Sequence, residues 1–367
     1  MSVEWHGVRT KEVMKFFDYT GVIHIHSEYS FDGSTSVADI VKAAEENHID
    51  FLMLTDHGTL MAREMGLEGW HGDTLLIVGQ EISPRFNHYL AFQIERAIDL
   101  PGDISAWQPQ EYIDQVVKQG GFGIIAHPDH DGAPKFHVKH YPWKDWSVSK
   151  FDGLGIWDFM TDWQSSLSGY AKALASYLFP AAFLSGPKRE TLRRWDTLNQ
   201  MGRFIGVAEC DNHNTRKEIF GFPVSVFPFN EAFKYLRTHV LLDNPLLKEN
   251  GTDIAAVCDS LRRGRAYIAH DYLEPATGFS FTLSDGGQVY SMGDELAHRT
   301  GMKIDVGLPV QGRIKVLADG TTIYEALAKE CSLEVDSPGV YRIEAYLKSW
   351  GRFRPWIFSN PIFVRKN

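Results

Sequence analysis

The segment GVIHIHSEYSFDG, residues 21–33, places two histidines, His24 and His26, one residue apart in an apolar run. Residues i and i+2 of a β-strand point to the same side, so both imidazoles can face one point. Two imidazoles that are buried without partners lose water at a cost, and a divalent metal ion removes that cost. An isolated pair of this kind also arises by chance, so the interpretation depends on further ligands.

Further metal-binding residue types stand at or beside the ends of other apolar segments. These segments finish in TDH, GQE, AHP and ECDNH, and with the NH dipeptide before YLAF they supply Asp56, His57, Glu81, His88, His127, Asp211 and His213. A catalytic zinc ion usually has three protein ligands, so this set is large enough for two or three divalent ions. Imidazole and carboxylate ligands suit zinc, manganese and iron alike, so the metal stays open.

Apolar strand-like runs alternate with helix-like segments up to about residue 270. Ile40, Ala43 and Ala44 lie on one face of a predicted helix that follows VIHIH, and QPQEYIDQVVKQGG predicts another. Further helices are predicted around residues 187–201, 230–239 and 252–263. This alternation argues for a mainly parallel α/β architecture, and the number of units favours a barrel. Barrel enzymes carry their chemistry at the carboxyl ends of the strands, so the polar segment ends should meet at one rim.

The pattern changes near residue 274. Residues 274–367 read as short alternating strands between turn residues, which predicts a β-sandwich domain after a barrel domain of residues 1–273. Within the barrel domain, residues 131–200 form a tryptophan-rich insertion, which we interpret as a lid or side wall of the active-site pocket.

Composition excludes several classes of protein. The formal net charge of −10 gives no general attraction to nucleic acid or to an anionic membrane, so a phosphate-bearing substrate would need local cations. The three cysteines are widely spaced, which indicates neither a disulfide framework nor a thiolate zinc site. The N-terminal residues lack a signal-peptide pattern and no long apolar run follows, so we expect a cytoplasmic protein. The sequence leaves the oligomeric state open.

The ordered series HxH, DH, GxE, AHP and DxH resembles the polymerase and histidinol phosphatase (PHP) family of metal-dependent phosphoesterases. The resemblance covers roughly residues 20–270. It implies an α/β fold built on a distorted (β/α)7-type PHP barrel, to which the C-terminal β-sandwich would be added.

The resemblance also implies a trinuclear metal centre. His24, His26, Glu81 and Asp211 would hold the first ion, and Glu81 would bridge to a second ion held by His88 and His127. His57 and His213 would hold a third ion, completed by Asp32, where some family members have histidine. Asp32 also fits a simple Asp-Gly turn. Glu81, His127 and Asp211 are the predicted catalytic residues.

Some neighbouring residues depart from the family pattern or stay outside the ligand set. The closing motif more commonly reads SDAH, whereas this chain has ECDNH, and Glu209 could orient a ligand. Asp56 is likewise interpreted as an orienting partner. His130, His137 and His140 are expected to be solvent-exposed loop residues, although one of them could protonate a leaving group.

These features predict a metal-dependent hydrolase that cleaves a small phosphate monoester or diester with a hydroxide shared between metal ions. Lys188, Arg189 and Arg193 in the insertion are candidate substrate-binding residues, although such residues are often only a solvated helix face. The partner would be a small molecule, with neither nucleic acid nor membrane as a stable partner. The sequence shows no GxSxG elbow, P-loop or strand-linked GxGxxG that would suggest other chemistry.

Two alternatives remain open. The barrel with a C-terminal β-domain that ends in RPWIFSNPIFV resembles the PHP branch that includes carbaryl hydrolase, which would make the substrate a carboxylic or carbamate ester. The second alternative is a non-catalytic metal-binding module.

Overall fold

The computed structural model describes residues 16–219 and 222–366. The first 15 residues, whose composition lacks a signal-peptide pattern, lie outside the described part. Within the described residues no helix combines the length and the apolar character needed to cross a membrane.

The strands of the N-terminal region follow one another in short segments. They are β1 (Phe17–Ile25), β2 (Phe51–Leu54), β3 (Gly69–His71), β4 (Thr74–Val78), β5 (Gln80–Ile82), β6 (Tyr89–Phe92), β7 (Phe122–Ile125), β8 (Gly153–Asp158), β9 (Ile205–Glu209), β10 (Arg216–Ile219), β11 (Phe222–Ser225), β12 (Leu236–Leu242) and β13 (Ala266–His270).

Helices lie between many of these strands. They are α1 (Val37–Glu46), α2 (Met61–Glu64), α3 (Pro109–Lys118), α4 (Phe159–Ser165), α5 (Tyr170–Leu178), α6 (Pro180–Phe183), α7 (Arg189–Met201), α8 (Phe229–Ala232) and α9 (Asn250–Arg262). The predicted helix starts are confirmed where capping is strong. Ser36 accepts a hydrogen bond from the Asp39 amide at the start of α1, and Pro109 is the first residue of α3.

Most of the N-terminal strands belong to two sheets, and β10 pairs with β11 in a further two-stranded sheet. In one sheet, β1, β2 and β4 are parallel, and β12 and β13 continue it with antiparallel pairing. The other sheet has the order β5-β6-β7-β8-β9, with β7, β8 and β9 parallel and the β5–β6 and β6–β7 pairs antiparallel. The mixed α/β class is therefore confirmed, but the barrel is less parallel than expected because short loops such as residues 83–88 permit hairpins.

Single bridges connect the two sheets at two seams. Ile25 at the end of β1 pairs with Asn212 beyond β9, and His57 beyond β2 pairs with Glu81 in β5. Both seams lie next to candidate metal ligands, so the rim of the barrel is also where the two sheets meet.

The segment around residues 230–239 was expected to be one helix, and this prediction is wrong. A short helix, α8, ends at Ala232, and β12 begins at Leu236. β12 lies between β1 and β13 and pairs with both. The local sequence suits a helix, but β12 gains hydrogen bonds and burial on both edges, and this tertiary pairing outweighs local propensity.

Alternate residues of the barrel strands contribute to two hydrophobic cores. In β2, Phe51 and Met53 belong to one core, whereas Leu52 and Leu54 belong to the other. All four side chains are fully buried. This arrangement is typical of a strand covered on both faces.

The C-terminal region contains strands and no helix among the described residues. Its strands are β14 (Ser280–Ser284), β15 (Val289–Ser291), β16 (Glu295–Ala297), β17 (Lys303–Ala318), β18 (Thr321–Glu334), β19 (Gly339–Ser349), β20 (Arg352–Ser359) and β21 (Ile362–Arg365). Together with side chains of β12 and β13, they enclose another core, which includes Phe281, Val316 and Trp356. A β-rich C-terminal region is thus confirmed.

The C-terminal strands are joined directly to the barrel. β20 pairs with β13, and the Asn360 side chain bonds the backbone of Gly206 and Ala266. Arg342 in β19 also donates two hydrogen bonds to Asp196 in α7, at 2.6 and 2.9 Å. The domain boundary at residues 273 and 274 stays a prediction. Residues 131–200 include β8, so this segment is not wholly an insertion.

A buried imidazole connects β1, β12 and β13. His239 is fully buried, with Nδ1 at 2.8 Å from Asp18 and Nε2 at 3.1 Å from Asp271. Tyr267 stacks on the same ring at 4.4 Å and donates a hydrogen bond to Asp18. Burial alone would lower the pKa of His239, but the two carboxylates raise it to about 9.

We expect the contacts of His239 with Asp18 and Asp271 to make the protein less stable as the pH becomes alkaline. A histidine whose pKa is raised on folding stabilises the protein fully below its unfolded value of about 6.5, and that contribution is lost as the pH rises through about 9. Thermal unfolding followed between pH 6 and 9.5 should show a falling melting temperature, and His239→Gln should flatten this dependence. The exposed His140→Gln serves as control. An unchanged slope in His239→Gln would contradict the assignment.

Candidate metal centre

Three candidate ligands occupy strained backbone positions at strand ends. His24, His127 and Asp211 have φ values of 69°, 25° and 48°, in the left-handed region that non-glycine residues rarely adopt. The register between β1 and β2 shifts at His24, so the strand is irregular there. His24 and His26 therefore do not follow the alternation of a regular strand. The Asp211 amide bonds the His24 carbonyl at 2.7 Å, which holds two of these positions together.

The first group of candidate ligands contains both histidines of the HxH motif. Nε2 of His24 lies 3.0 Å from Glu81 Oε2 and 3.3 Å from Asp211 Oδ1. Nε2 of His26 lies 3.2 and 3.5 Å from the same two oxygens. The four side chains therefore converge on one point and could hold a metal ion.

The second group uses the other oxygen of Glu81. Oε1 lies 2.7 Å from His88 Nδ1 and 3.6 Å from His127 Nε2. These three buried side chains could hold a further ion. The carboxylate of Glu81 thus presents one oxygen to each group.

The third group surrounds Asp32. Its Oδ2 lies 3.2 Å from Nε2 of both His57 and His213. His26 also belongs to this group, and its ring stacks on His213 with 4.0 Å between centroids. The sequence did not indicate this double membership. Every side chain predicted to bind metal lies in one of the three groups, while its role as a ligand stays a prediction.

The chemistry of the cluster fits metal ions. Nε2 of the fully buried His26 and Nδ1 of His57 and His88 lie within 3.2 Å of a Glu81 oxygen, but none of these contacts has the geometry of a hydrogen bond. Buried polar atoms without partners cost free energy, about 1–3 kcal/mol each. Coordination would satisfy them, and mixed imidazole and carboxylate donors suit divalent transition metals.

Mutual electrostatics within the cluster are strong. Burial alone would lower the pKa values of His24 and His127, but Glu81 and Asp211 raise the first well above its usual value and the second to about 9. Burial also lowers the pKa of His26, with the neighbouring His213 adding to the effect. The carboxyl of Asp211, although buried, has a lowered pKa because His24 and other imidazoles surround it. In the absence of metal the cluster therefore holds protons.

Glu209 orients two candidate ligands, in agreement with the sequence-based interpretation. Its Oε1 lies 3.0 Å from His24 Nδ1, and its Oε2 accepts a hydrogen bond from the His127 amide at 2.8 Å. Such a contact directs the opposite nitrogen of His24 towards the site. Asp56 has a different task, since it accepts hydrogen bonds from the amide and hydroxyl of Ser27 and shapes the loop after β1.

The expectation that His130 is solvent-exposed is wrong. Its side chain is buried, with Nε2 at 2.9 Å from Gln164 and Nδ1 accepting from the Tyr141 amide. Burial lowers its pKa to about 4, so the ring is neutral near pH 7 and is a poor proton donor. The prediction holds for His137 and His140, which are exposed.

A cavity of about 1090 Å³ adjoins the cluster at His127. Its walls come from β8, from helices α4 to α7 and from the β19–β20 hairpin. Asp158, the last residue of β8, lines it and was missed by the sequence analysis, although the WD pair ends a strand as the other polar pairs do. Burial, followed by the nearby Asp211, raises the pKa of Asp158 well above its usual value.

The predicted substrate-binding residues are divided between two cavities. Lys188 and Arg189 line the cavity at His127, where Lys188 also bonds Asp131 at 2.5 Å. Arg193 lines an adjoining cavity of about 400 Å³ with Asp196 and Arg342, and Arg189 lines both cavities. Their role in substrate binding stays a prediction.

Part of the chain that carries this geometry matches a known protein family. Residues 23–141 match the PHP domain. This match spans 119 of the 367 residues of the chain. The ordered motifs resemble the same family, whose members are metal-dependent phosphoesterases. The matched segment includes every candidate ligand except Asp211 and His213, and the structure brings these two to the same cluster.

Individual proteins that resemble this chain are distant from it. An uncharacterized protein of Methanocaldococcus jannaschii is 26% identical over 124 residues, covering 29% of this chain and 66% of that protein. A Bacteroides vulgatus structure, a two-domain protein containing a predicted PHP-like metal-dependent phosphoesterase, is 12% identical with a TM-score of 0.42, covering 96% of this chain and 100% of the other. A Chromobacterium violaceum amidohydrolase structure is 12% identical with a TM-score of 0.31, covering 57% and 92%. At these scores neither structure bears on function.

We expect His26→Ala or Asp211→Ala to lower the metal content of the protein by about one ion per chain, because each change removes a donor from a group of four. Circular dichroism should show a retained fold. Elemental analysis of purified protein measures the metal. The exposed His140→Ala is the control, and metal content equal to wild type in both ligand variants would refute the grouping.

Metal binding should release protons, because His24 and His127 have raised pKa values in the metal-free cluster. Titration calorimetry with Mn²⁺ in buffers of different ionisation enthalpy should therefore give different apparent enthalpies. The affinity should weaken as the pH falls from 8 to 6, since more protons must then be displaced. An enthalpy that is independent of the buffer would contradict this prediction.

Proposed function

We propose that this protein is a metal-dependent hydrolase that cleaves a small phosphate ester, either a monoester or a diester. The observation that supports this proposal most is the position of the Glu81 carboxylate. Each of its two oxygens faces a different group of histidines. A shared carboxylate of this kind would suit a pair of divalent metal ions.

When bound, such a pair of divalent ions lowers the pKa of a shared water and stabilises the charge that develops during ester cleavage. The side chains of this protein would hold and orient the site. His24, His26 and Asp211 would form one half and His88 with His127 the other. Glu209 fixes the orientation of His24 through Nδ1. A third ion at Asp32, His57 and His213 is part of the proposal.

Local positive charge supports an anionic substrate. The chain as a whole carries a formal net charge of −10, which would repel phosphate at long range. The cavity beside His127 is nevertheless lined by basic side chains, namely Lys172, Lys188, Arg189, Arg352 and Arg354. Its volume of about 1090 Å³ suits a small-molecule ligand. We therefore propose a small-molecule substrate. A cytoplasmic location remains our expectation from the sequence.

A carboxylic or carbamate ester is the second candidate. Large apolar side chains also line the cavity, namely Trp157, Phe179, Phe183, Trp350 and Phe353. An aryl leaving group could pack against such a surface. The chemistry that such ions would supply suits a carbonyl ester as well as a phosphate ester.

Assay of the metal-loaded protein separates these candidates. Protein loaded with Mn, Zn or Fe should hydrolyse p-nitrophenyl phosphate or bis(p-nitrophenyl) phosphate above the blank without enzyme. Removal of metal with a chelator, or the Asp211→Ala change, should abolish this turnover, because the activated water is lost. The absorbance of released nitrophenolate is the measurement.

Hydrolysis of p-nitrophenyl acetate with no phosphate turnover would favour the second candidate. Failure of all three substrates at full metal occupancy would favour a non-catalytic metal-binding module. Turnover that persists after metal removal would contradict both hydrolase proposals.

A further inference from the structure

The cavity beside His127 contains buried polar atoms without partners. Oδ2 of Asp158, Oγ1 of Thr161, Oγ of Ser166 and Nε of Arg354 form no hydrogen bond. All four residues line the cavity. Each side chain is at least nine-tenths buried, so bulk water does not replace the missing partner. Residues that line this cavity therefore have unused hydrogen-bonding capacity, and the charged one among them bears most directly on a ligand.

Arg354 is the most informative of these residues because its charge is permanent. It is 6% exposed, and its Nη1 donates to the carbonyl oxygens of Ala181 and Ala182 at 3.4 and 2.9 Å. Among the described residues it forms no ion pair with a carboxylate. A buried guanidinium normally has an anionic partner, since charges without one are costly to bury.

Aspartates line other parts of the cavity wall, but within the described chain the charge that acts on Arg354 is that of a second arginine. Burial and then the adjacent charge of Arg352 lower the pKa of Arg354. Arg352 is exposed, lines the same cavity and likewise forms no ion pair within the described chain. Trp350 lies against the Arg354 guanidinium at 4.6 Å from its ring centroid. The β19–β20 hairpin therefore presents two unpaired arginines to the cavity.

We propose that Arg354, with Arg352 beside it, binds a second anionic group of the substrate, a carboxylate or a phosphate, while the ester to be cleaved lies at the metal cluster. This proposal rests on the proposed hydrolase function, because it takes the cavity beside His127 as the substrate pocket. It deepens that function by defining the substrate as a molecule with two polar ends.

The two ends of the substrate would be recognised by different parts of the chain. His127 belongs to the barrel rim, whereas Arg352 and Arg354 belong to the C-terminal region, and one cavity joins them. A guanidinium can bind a carboxylate or a phosphate through two parallel hydrogen bonds. The aromatic side chains on the same walls would pack against the apolar part between the two ends.

Matched substrates test the proposal on the full-length, metal-loaded protein. Phenyl phosphate has no distal anion, 4-carboxyphenyl phosphate has a distal carboxylate, and 1,4-phenylene bisphosphate has a distal phosphate. Released inorganic phosphate gives kcat/KM for each. Wild type should prefer at least one distal anion over phenyl phosphate by about tenfold, the size expected for one charged hydrogen-bond pair. The preferred substrate identifies carboxylate or phosphate.

Arg354→Met should remove this preference, and Arg352→Met should reduce it by about threefold, as expected for a more exposed charge. Lys348→Met, an exposed basic residue of β19 that does not line the cavity, should leave it unchanged. Melting curves check the fold of each variant. If Arg354→Met does not fold, Arg352→Met decides. No preference in wild type, or a preference retained in the arginine variants, would overturn the proposal.

Binding separates this proposal from the hydrolase function. Calorimetric titration with 4-methylbenzoate and 4-methylphenylphosphonate requires no turnover. If no ester is hydrolysed, the hydrolase function fails, but at least tenfold weaker binding of one probe to Arg354→Met than to wild type still supports the anion site. Equal binding, or no binding to wild type, would overturn it.

Discussion

The carboxylate of Glu81 is the contact on which the rest of the site depends. Its two oxygens lie within 2.7–3.6 Å of nitrogens from His24, His26, His57, His88 and His127, which come from four separate stretches of the chain. Without a buried negative charge at this point, the imidazoles would repel one another once protonated. Glu81 also sits at the seam where His57 bridges the two sheets. The position of one side chain therefore links the closure of the barrel to the geometry of the proposed metal site.

The backbone next to the metal-ligand candidates adopts unfavourable conformations, and nearby hydrogen bonds hold it there. Left-handed conformations at His24, His127 and Asp211 cost about 1–3 kcal/mol each and persist only where their surroundings enforce them. The enforcing contacts are visible: the Asp211 amide bonds the His24 carbonyl, and Glu209 holds the His127 amide. Hydrogen bonds therefore fix the backbone at the seam between β1 and β9, where the candidate ligands lie.

The sequence predicted the cluster well because its members are single residues at the ends of buried strands, and the strands are readable as apolar runs. It predicted less where distant parts of the chain decide the structure. β12 was missed because its strand state depends on pairing with β1 and β13. His130 is buried by Gln164 and Tyr141, which no local pattern reveals. Arg354 could not be assigned to the cavity, since it lies more than 220 residues from His127 in the chain.

The turn between β19 and β20 has a further consequence. Trp350, Arg352 and Arg354 lie on a hairpin whose own strand, β20, is fastened to β13, so the cavity wall is anchored although its tip is exposed. None of the three belongs to a candidate metal group. Exchange of the tip would therefore reshape the cavity wall without removing a candidate metal ligand, so the wall and the ligand groups can be engineered independently.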